Sequence, residues 1–412
     1  MNEIKRVFEQ IEAGRRRMIE LQTRLCAVPA IAPESGGQGE SAKAEALVRW
    51  LGNGPLSKIE VYEAPDHRVP SGKRPNVVVT VPGTEARRLW VISHMDVVPP
   101  GELSLWDTPP YEAVEKNGKL YGRGVEDNQQ SLVASVFAAA AIRELGLTPR
   151  LTVKLLFMAD EETGSEKGIR FLLATESLFR KDDLILVPDI GSENSDMIEI
   201  AEKSVLWLRF QTSGRQCHAS TPEKGVNAFV AGSELVLRLN RLNEIFASRD
   251  PLFDPPVSTF APTKKDPNIP NINTIPGEDV FYVDCRILPS VGIPAVQREI
   301  ASAVREVEQE YSVSVSCEEV QKEVSEPTPE DAPIVLALKR SVPVVYPCEP
   351  RAVGIGGGTV GAHIRNAGFP AACWSTVDET AHMPNEYCRI DHMVADAKVM
   401  AHLMLAGPEQ GD

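Results

Sequence analysis

The 412-residue sequence has no segment long and apolar enough to cross a bilayer. Its greasiest stretch, residues 132–142, is short and rich in alanine, whereas a spanning helix needs about 20 apolar residues. The first residues, MNEIKRVFEQ, carry charges where a secretory signal would be apolar. No C-x-x-C pair occurs. The seven cysteines stand apart at 26, 217, 285, 317, 348, 373 and 388, and an odd number cannot all pair. They read as reduced thiols of a cytoplasmic protein, neither a disulfide frame nor a thiolate metal site. Basic residues are in deficit, 43 Lys and Arg against 58 Asp and Glu, a formal charge of −15. Such a surface repels phosphate backbones and anionic headgroups, which speaks against nucleic acid and membrane as partners. Internal repeats and low-complexity tracts are also missing.

What is present is the composition of a globular protein with a real core, 42% apolar and 25% charged, and a length that suits two domains. Ile4, Val7, Phe8, Ile11, Met18, Ile19, Leu21 and Leu25 give residues 3–27 helical periodicity. Apolar runs of strand length follow at 89–93, 151–158 and 184–187. A helix is expected over 128–145, stopped by Gly146. Strands alternating with helices predict an α/β fold with a mostly parallel central sheet and covering helices. Near residue 203 the pattern changes to strand 204–212, helix 225–242, strand 279–287 and helix 293–310, with a proline-rich ordered loop over 251–276. The domain plan is therefore 1–203 with 320–412 as one discontinuous domain, and 204–319 as an inserted α+β domain.

Chemistry-bearing residues cluster just after the predicted strands, where open α/β sheets build their sites. In Ser93-His94-Met95-Asp96 the acid is two residues from the histidine and is placed to orient it, as carboxylates do for metal-bound imidazoles. In Tyr121-Gly122-Arg123-Gly124-Val125-Glu126-Asp127, Asp127 is either the N-cap of the following helix or a carboxylate bridging two cations, and Glu126 reads as a solvated neighbour. Asp160-Glu161-Glu162 puts three acids after an apolar strand, a charged loop unless they hold cations. Asp189 ends the 184–187 run, and His382 lies in Thr380-Ala381-His382-Met383-Pro384-Asn385-Glu386. Carboxylates and imidazoles without cysteine suit zinc, with cobalt or manganese as alternatives. Two ions about 3.5–4 Å apart need a carboxylate between them.

These motifs, in this order and at these spacings over nearly the whole chain, resemble the zinc-dependent aminoacylase/carboxypeptidase (M20-type) metallopeptidase family of desuccinylases, deacetylases and cytosolic dipeptidases. The resemblance implies two zinc ions per subunit, with His94 and Asp189 on one, Glu162 and His382 on the other, and Asp127 bridging. It makes Glu161 the general base, Asp96 the residue orienting His94, and the insertion a lid domain that forms a homodimer. Gly214-Arg215-Gln216-Cys217-His218 matches the family's lid motif, which implies that His218 stabilises the oxyanion in the partner subunit. Asn273 and Arg286, with Gly357, Gly358 and Thr359 of the glycine run, would grip a substrate carboxylate. The implied substrate is a small peptide or an N-acyl amino acid.

Two features depart from the common family pattern. Asn128-Gln129-Gln130 stands where many members carry Met/Asn-Lys-Gly, and the ligand at 189 is aspartate. Aspartate there, with the triple glycine before Thr359, tilts the reading toward a dipeptidase or carboxypeptidase and leaves an N-acyl amino acid deacylase as the alternative. A one-metal aminopeptidase and a catalytically degenerate metal-binding interaction protein are the other readings. The glycine run lacks the Gly-Lys-Ser/Thr ending of a phosphate loop.

Overall fold

A computed structural model describes residues 2–56, 58–175 and 178–407. The chain forms two compact units, residues 1–200, 328–353 and 359–412, and residues 201–327 with 354–358.

The first unit is built on a sheet of eight strands in the spatial order Ile59–Pro65, Lys73–Val81, Leu151–Met158, Glu85–His94, Leu184–Val187, Ala371–Cys373, Met197–Glu202 and Arg351–Ile355. Its centre is parallel: Glu85–His94 runs parallel to both Leu151–Met158 and Leu184–Val187, which in turn runs parallel to Ala371–Cys373. Ile59–Pro65 and Lys73–Val81 pair antiparallel, as do Lys73–Val81 and Leu151–Met158, and Ala371–Cys373 and Met197–Glu202. The central runs are apolar along their length because both faces are covered: Trp90, Ile92, Leu156 and Ile185 are buried with Val360 and Ile364 of the following elements.

Helix Gln130–Glu144 is alanine-rich and buried on nearly every side, packed against helix Ile390–Ala406. It starts later than the 128 expected from sequence, because Asp127 and Asn128 have non-helical backbone angles. The periodicity over 3–27 is carried by two helices, Asn2–Ala13 and Arg15–Cys26. The break falls at Gly14, where a Cβ would lie 3.2 Å from the Phe137 ring.

The second unit is a four-stranded antiparallel sheet, ordered Thr259–Lys265, Glu278–Ile287, Ser204–Ser213 and Ser314–Glu323. Alternate residues of Glu278–Ile287 are buried, the period of a half-covered strand. Helices Ala228–Asn240 and Ile293–Tyr311 cover that face, so Phe210, Phe281, Leu235 and Val296 form the core. Asn227 caps the first helix by accepting hydrogen bonds from the Phe229 and Val230 amides. No helix among the described residues is long and apolar enough to cross a membrane.

Candidate metal centre

Because the central strands are parallel, their C-terminal ends deliver side chains to one edge of the sheet. His94 is the last residue of its strand; Glu161 and Glu162 follow Met158 by a short turn; Asp189 follows Val187. Asp127 comes from the turn leading into helix Gln130–Glu144, and His382 from the loop before helix Ile390–Ala406. His94, Glu161 and Asp189 form one group able to hold a metal ion, and His94, Asp127 and Glu162 another. Asp127 faces both histidines: Oδ1 lies 2.8 Å from His94 Nε2 and Oδ2 lies 3.1 Å from His382 Nε2. His382 Nε2 is also 3.1 Å from Glu162 Oε2, and His94 Nε2 is 3.4 Å from Asp189 Oδ1. Asp127 therefore does not spend its carboxylate on capping the helix.

The back of His94 is fixed as well. Its Nδ1 lies 3.0 Å from the backbone carbonyl of Asp96 and 3.5 Å from that residue's carboxylate. The Asp96 carboxylate accepts instead from the Glu161 and Glu162 amides at 3.1 and 3.0 Å. Asp96 thus holds the imidazole through its main chain and the two glutamates through its side chain. Asp160, at φ 65°, turns away from the centre. It accepts from the Thr163 hydroxyl and the Lys167 amide and pairs with Arg74 at 3.2 Å. Arg74 and its second partner, Glu40, are wholly buried.

Charge in this pocket is severe for a protein interior. Burial opposes a charged His94, but Asp189 and the hydrogen bond to Asp127 outweigh it, and the ring holds its proton well above the ordinary imidazole range. Hydrogen bonds to Asp127 and Glu162 lift His382 to about 10. Burial, then repulsion from Asp189, raises Glu161 well above the usual carboxylate range. The crowded acids thus favour added positive charge at this edge. Divalent cations would supply it, and an oxygen-and-imidazole donor set without thiolate fits zinc, cobalt or manganese.

Four residues near the centre were given no role, or another role, by sequence. Glu126 is not solvated: it is 3% exposed, and its carboxylate accepts from the Asp378 amide at 2.6 Å and from the Thr380 amide and hydroxyl. Glu386 returns the grip, accepting from Arg123 at 2.7 Å and from the amides of Gly124, Glu126 and Asp127. Asn128 donates to the Asp189 carboxylate at 2.6 Å and to the Pro188 carbonyl at 2.8 Å. Gln130 donates to the Thr376 carbonyl at 2.7 Å. Within the departure at 128–130, Asn128 and Gln130 are thus polar anchors, whereas the buried Gln129 amide makes no side-chain hydrogen bond among the described residues. An acid beside a helix start gives no sequence sign that its partner lies more than 250 residues away.

The other expected site residues lie as follows. His218 and Asn273 are neighbours on a two-stranded ribbon in which His218 pairs with Thr274. The His218 ring Nδ1 accepts from the Ser220 amide at 3.1 Å. Arg286 is held by Asp284 at 2.8 and 3.0 Å and donates to the Gly356 carbonyl at 2.9 Å, so it is tied to the glycine run. A Cβ on Gly357 would touch nothing, and one on Gly358 would approach only the Glu323 and Glu202 carboxylates. Thr359 caps helix Val360–Asn366 through its hydroxyl.

An α/β sheet presenting acids and imidazoles in this way defines a metal-dependent hydrolase. Residues 90–406 match the model of peptidase family M20/M25/M40, and the chain belongs to that family. It is 37% identical over 402 residues to an uncharacterized metallohydrolase of Methanocaldococcus jannaschii, covering 94% of this chain and 98% of that one. It is 28% identical over 309 residues to the succinyl-diaminopimelate desuccinylase of Roseobacter denitrificans, covering 73% of this chain and 78% of that one. In fold it is similar to the crystal structure of aminopeptidase PepT from Bacillus cereus, with a TM-score of 0.77, 18% identity and coverage of 95% and 98%. The protein is a metallohydrolase.

Proposed function

We propose that this metallohydrolase uses two zinc ions to cleave a peptide or N-acyl amide bond in a small, carboxylate-bearing substrate, in the manner of a dipeptidase or carboxypeptidase. The observation that carries the reading is Asp127, with one oxygen toward each histidine. In this reading His94 and Asp189 hold one ion, Glu162 and His382 hold the other, and Asp127 is shared. When bound, such ions bring the pKa of a water toward neutrality and polarise a carbonyl.

The chain's own residues do the rest. Glu161 accepts the proton of the attacking water and returns it to the leaving amine. Asp96 keeps His94 and the two glutamates in register. His218 donates to the oxyanion from a partner subunit. Asn273, Arg286, Gly357, Gly358 and Thr359 seat the substrate carboxylate; the bond between Arg286 and the Gly356 carbonyl supports placing Arg286 beside the glycine run. Residues 204–319 serve as lid and dimerisation domain, and the seven free thiols support a cytoplasmic protein. The similarity to a desuccinylase supports a second reading, an N-acyl amino acid deacylase.

The test is hydrolysis by the zinc-loaded protein of dipeptides and of N-acetyl, N-succinyl and N-carbamoyl amino acids, with zinc counted per chain. Two ions and cleavage of dipeptides are expected. One ion per chain would overturn the two-zinc centre, and cleavage of acylated substrates alone would select the second reading.

A further inference from the structure

Glu126-Asp127-Asn128 lies where the segments carrying His94, His382 and Asp189 meet. Asp127 faces the two histidines. Its neighbours are not among the proposed ligands; they grip the backbones or side chains of other ligand-bearing loops. Glu126 takes the amides of Asp378 and Thr380 and the Thr380 hydroxyl, all just before His382. This loop needs holding. Glu379, His382 and Asn385 sit at φ 59°, 65° and 59°, a region that costs a non-glycine residue energy and persists only where the surroundings impose it. The His382 ring is also exposed, so packing does not fix it. Asn128 is 2% exposed. Its Nδ2 contacts both the Asp189 carboxylate and the Pro188 carbonyl, whereas its Oδ1 has no partner. The residue is therefore kept for its donor group, which sets the rotation of the Asp189 carboxylate.

We infer that the two neighbours of the bridging aspartate are positioning residues that divide the centre between them: Glu126 sets the metal position of Glu162 and His382, and Asn128 sets the position of His94 and Asp189. This rests on the two-ion reading above. It differs from a general structural role because each residue should affect one position and spare the other.

The experiment is zinc binding by the metal-stripped full-length chain against a competing chelator. Asp189→Ala and His382→Ala serve as backgrounds that each leave one position. Glu126→Gln keeps size and removes an accepting oxygen; Asn128→Leu keeps approximate size and removes the donor. Loss of such an outer hydrogen bond weakens a metal site by about 10–100-fold. Glu126→Gln should do so in the Asp189→Ala background and change affinity by less than about twofold in the His382→Ala background, where the position it supports is already lost. Asn128→Leu should give the reverse pattern. Thr380→Ala, which deletes one hydrogen bond to Glu126, should follow the Glu126→Gln pattern at smaller size, and it carries the test if Glu126→Gln does not fold. Equal weakening in both backgrounds, or none in either, would overturn the inference while leaving the two-ion centre standing. If neither Asp189→Ala nor His382→Ala loses an ion, the centre itself is wrong and the inference falls with it.

Discussion

At the scale of single residues, the proposed centre gives adjacent side chains different tasks, holding ions and moving a proton. Glu161 and Glu162 are adjacent and share the Asp96 carboxylate through their amides, yet only Glu162 faces His382. Glu161→Gln is expected to keep its zinc, measured by metal analysis, and to lose turnover by about 10²–10⁴, the usual worth of general acid–base catalysis. Turnover near that of the unsubstituted protein would remove Glu161 from the role. Arg74 is a different case, a buried cation between Glu40 and Asp160. Arg74→Met should cost about 3–5 kcal/mol in denaturant unfolding, because it strands buried carboxylates. His94, Asp127, Glu162, Asp189 and His382 could be singled out in the sequence because their motifs, in order and spacing, resemble those of a metallopeptidase family. Glu126, Asn128 and Glu386 were not legible. A buried carboxylate is defined by its partners, and those of Glu126 and Glu386 come from the opposite end of the sequence.

At the scale of elements, close approaches do the positioning. Gly191 follows the loop that carries Asp189, and a Cβ there would sit 1.7 Å from the Ser375 carbonyl. Gly191→Ala should destabilise the fold by about 1–3 kcal/mol, as overpacking does, and weaken zinc binding; an unchanged unfolding midpoint would show that the loop has slack. Helix Ser41–Leu51 buries Lys43 along with Ala44, Leu47 and Leu51. Burial pushes the Lys43 ammonium from an ordinary 10.5 down to about 8, against the pull of Cys26, Asp96, Glu40 and Glu386. Between these values the unfolded chain holds the proton and the folded chain does not, so this residue's contribution to stability rises with pH over that window. Below it the buried charge is a constant cost. Lys43→Met should flatten the rise and stabilise the protein near neutral pH by about 1–3 kcal/mol, read from urea unfolding at about pH 7 and about pH 9.5. The strands at 151–158 and 184–187 could be read from sequence because they are short apolar runs bounded by turn residues. The start of helix Gln130–Glu144 could not: propensity favours helix from 128, and the site holds Asp127 and Asn128 out of it.

At the scale of the whole molecule, the second unit exposes apolar residues on one helix. Phe229, Val230 and Leu237 are 44%, 47% and 65% exposed, and their spacing places them on one side of helix Ala228–Asn240. If the inserted domain forms the dimer, Phe229→Glu with Leu237→Glu should yield monomers in sedimentation velocity. Activity should fall with it, since His218 would no longer reach a partner's centre. A dimer that survives both changes would move the interface elsewhere.

The first unit is interrupted: the chain leaves it after residue 200 and returns for good only at 359. His382 and Glu386, the last members of the centre and its clasp, thus leave the ribosome only after the whole inserted unit. Until then His94, Asp127, Glu161, Glu162 and Asp189 emerge without the imidazole and the carboxylate that complete them. The nascent protein passes through a long interval with a partly built, strongly acidic edge, while the inserted unit, continuous but for its 354–358 segment, has nearly all of its chain available earlier. Completion of the candidate metal centre therefore waits on synthesis of the insertion.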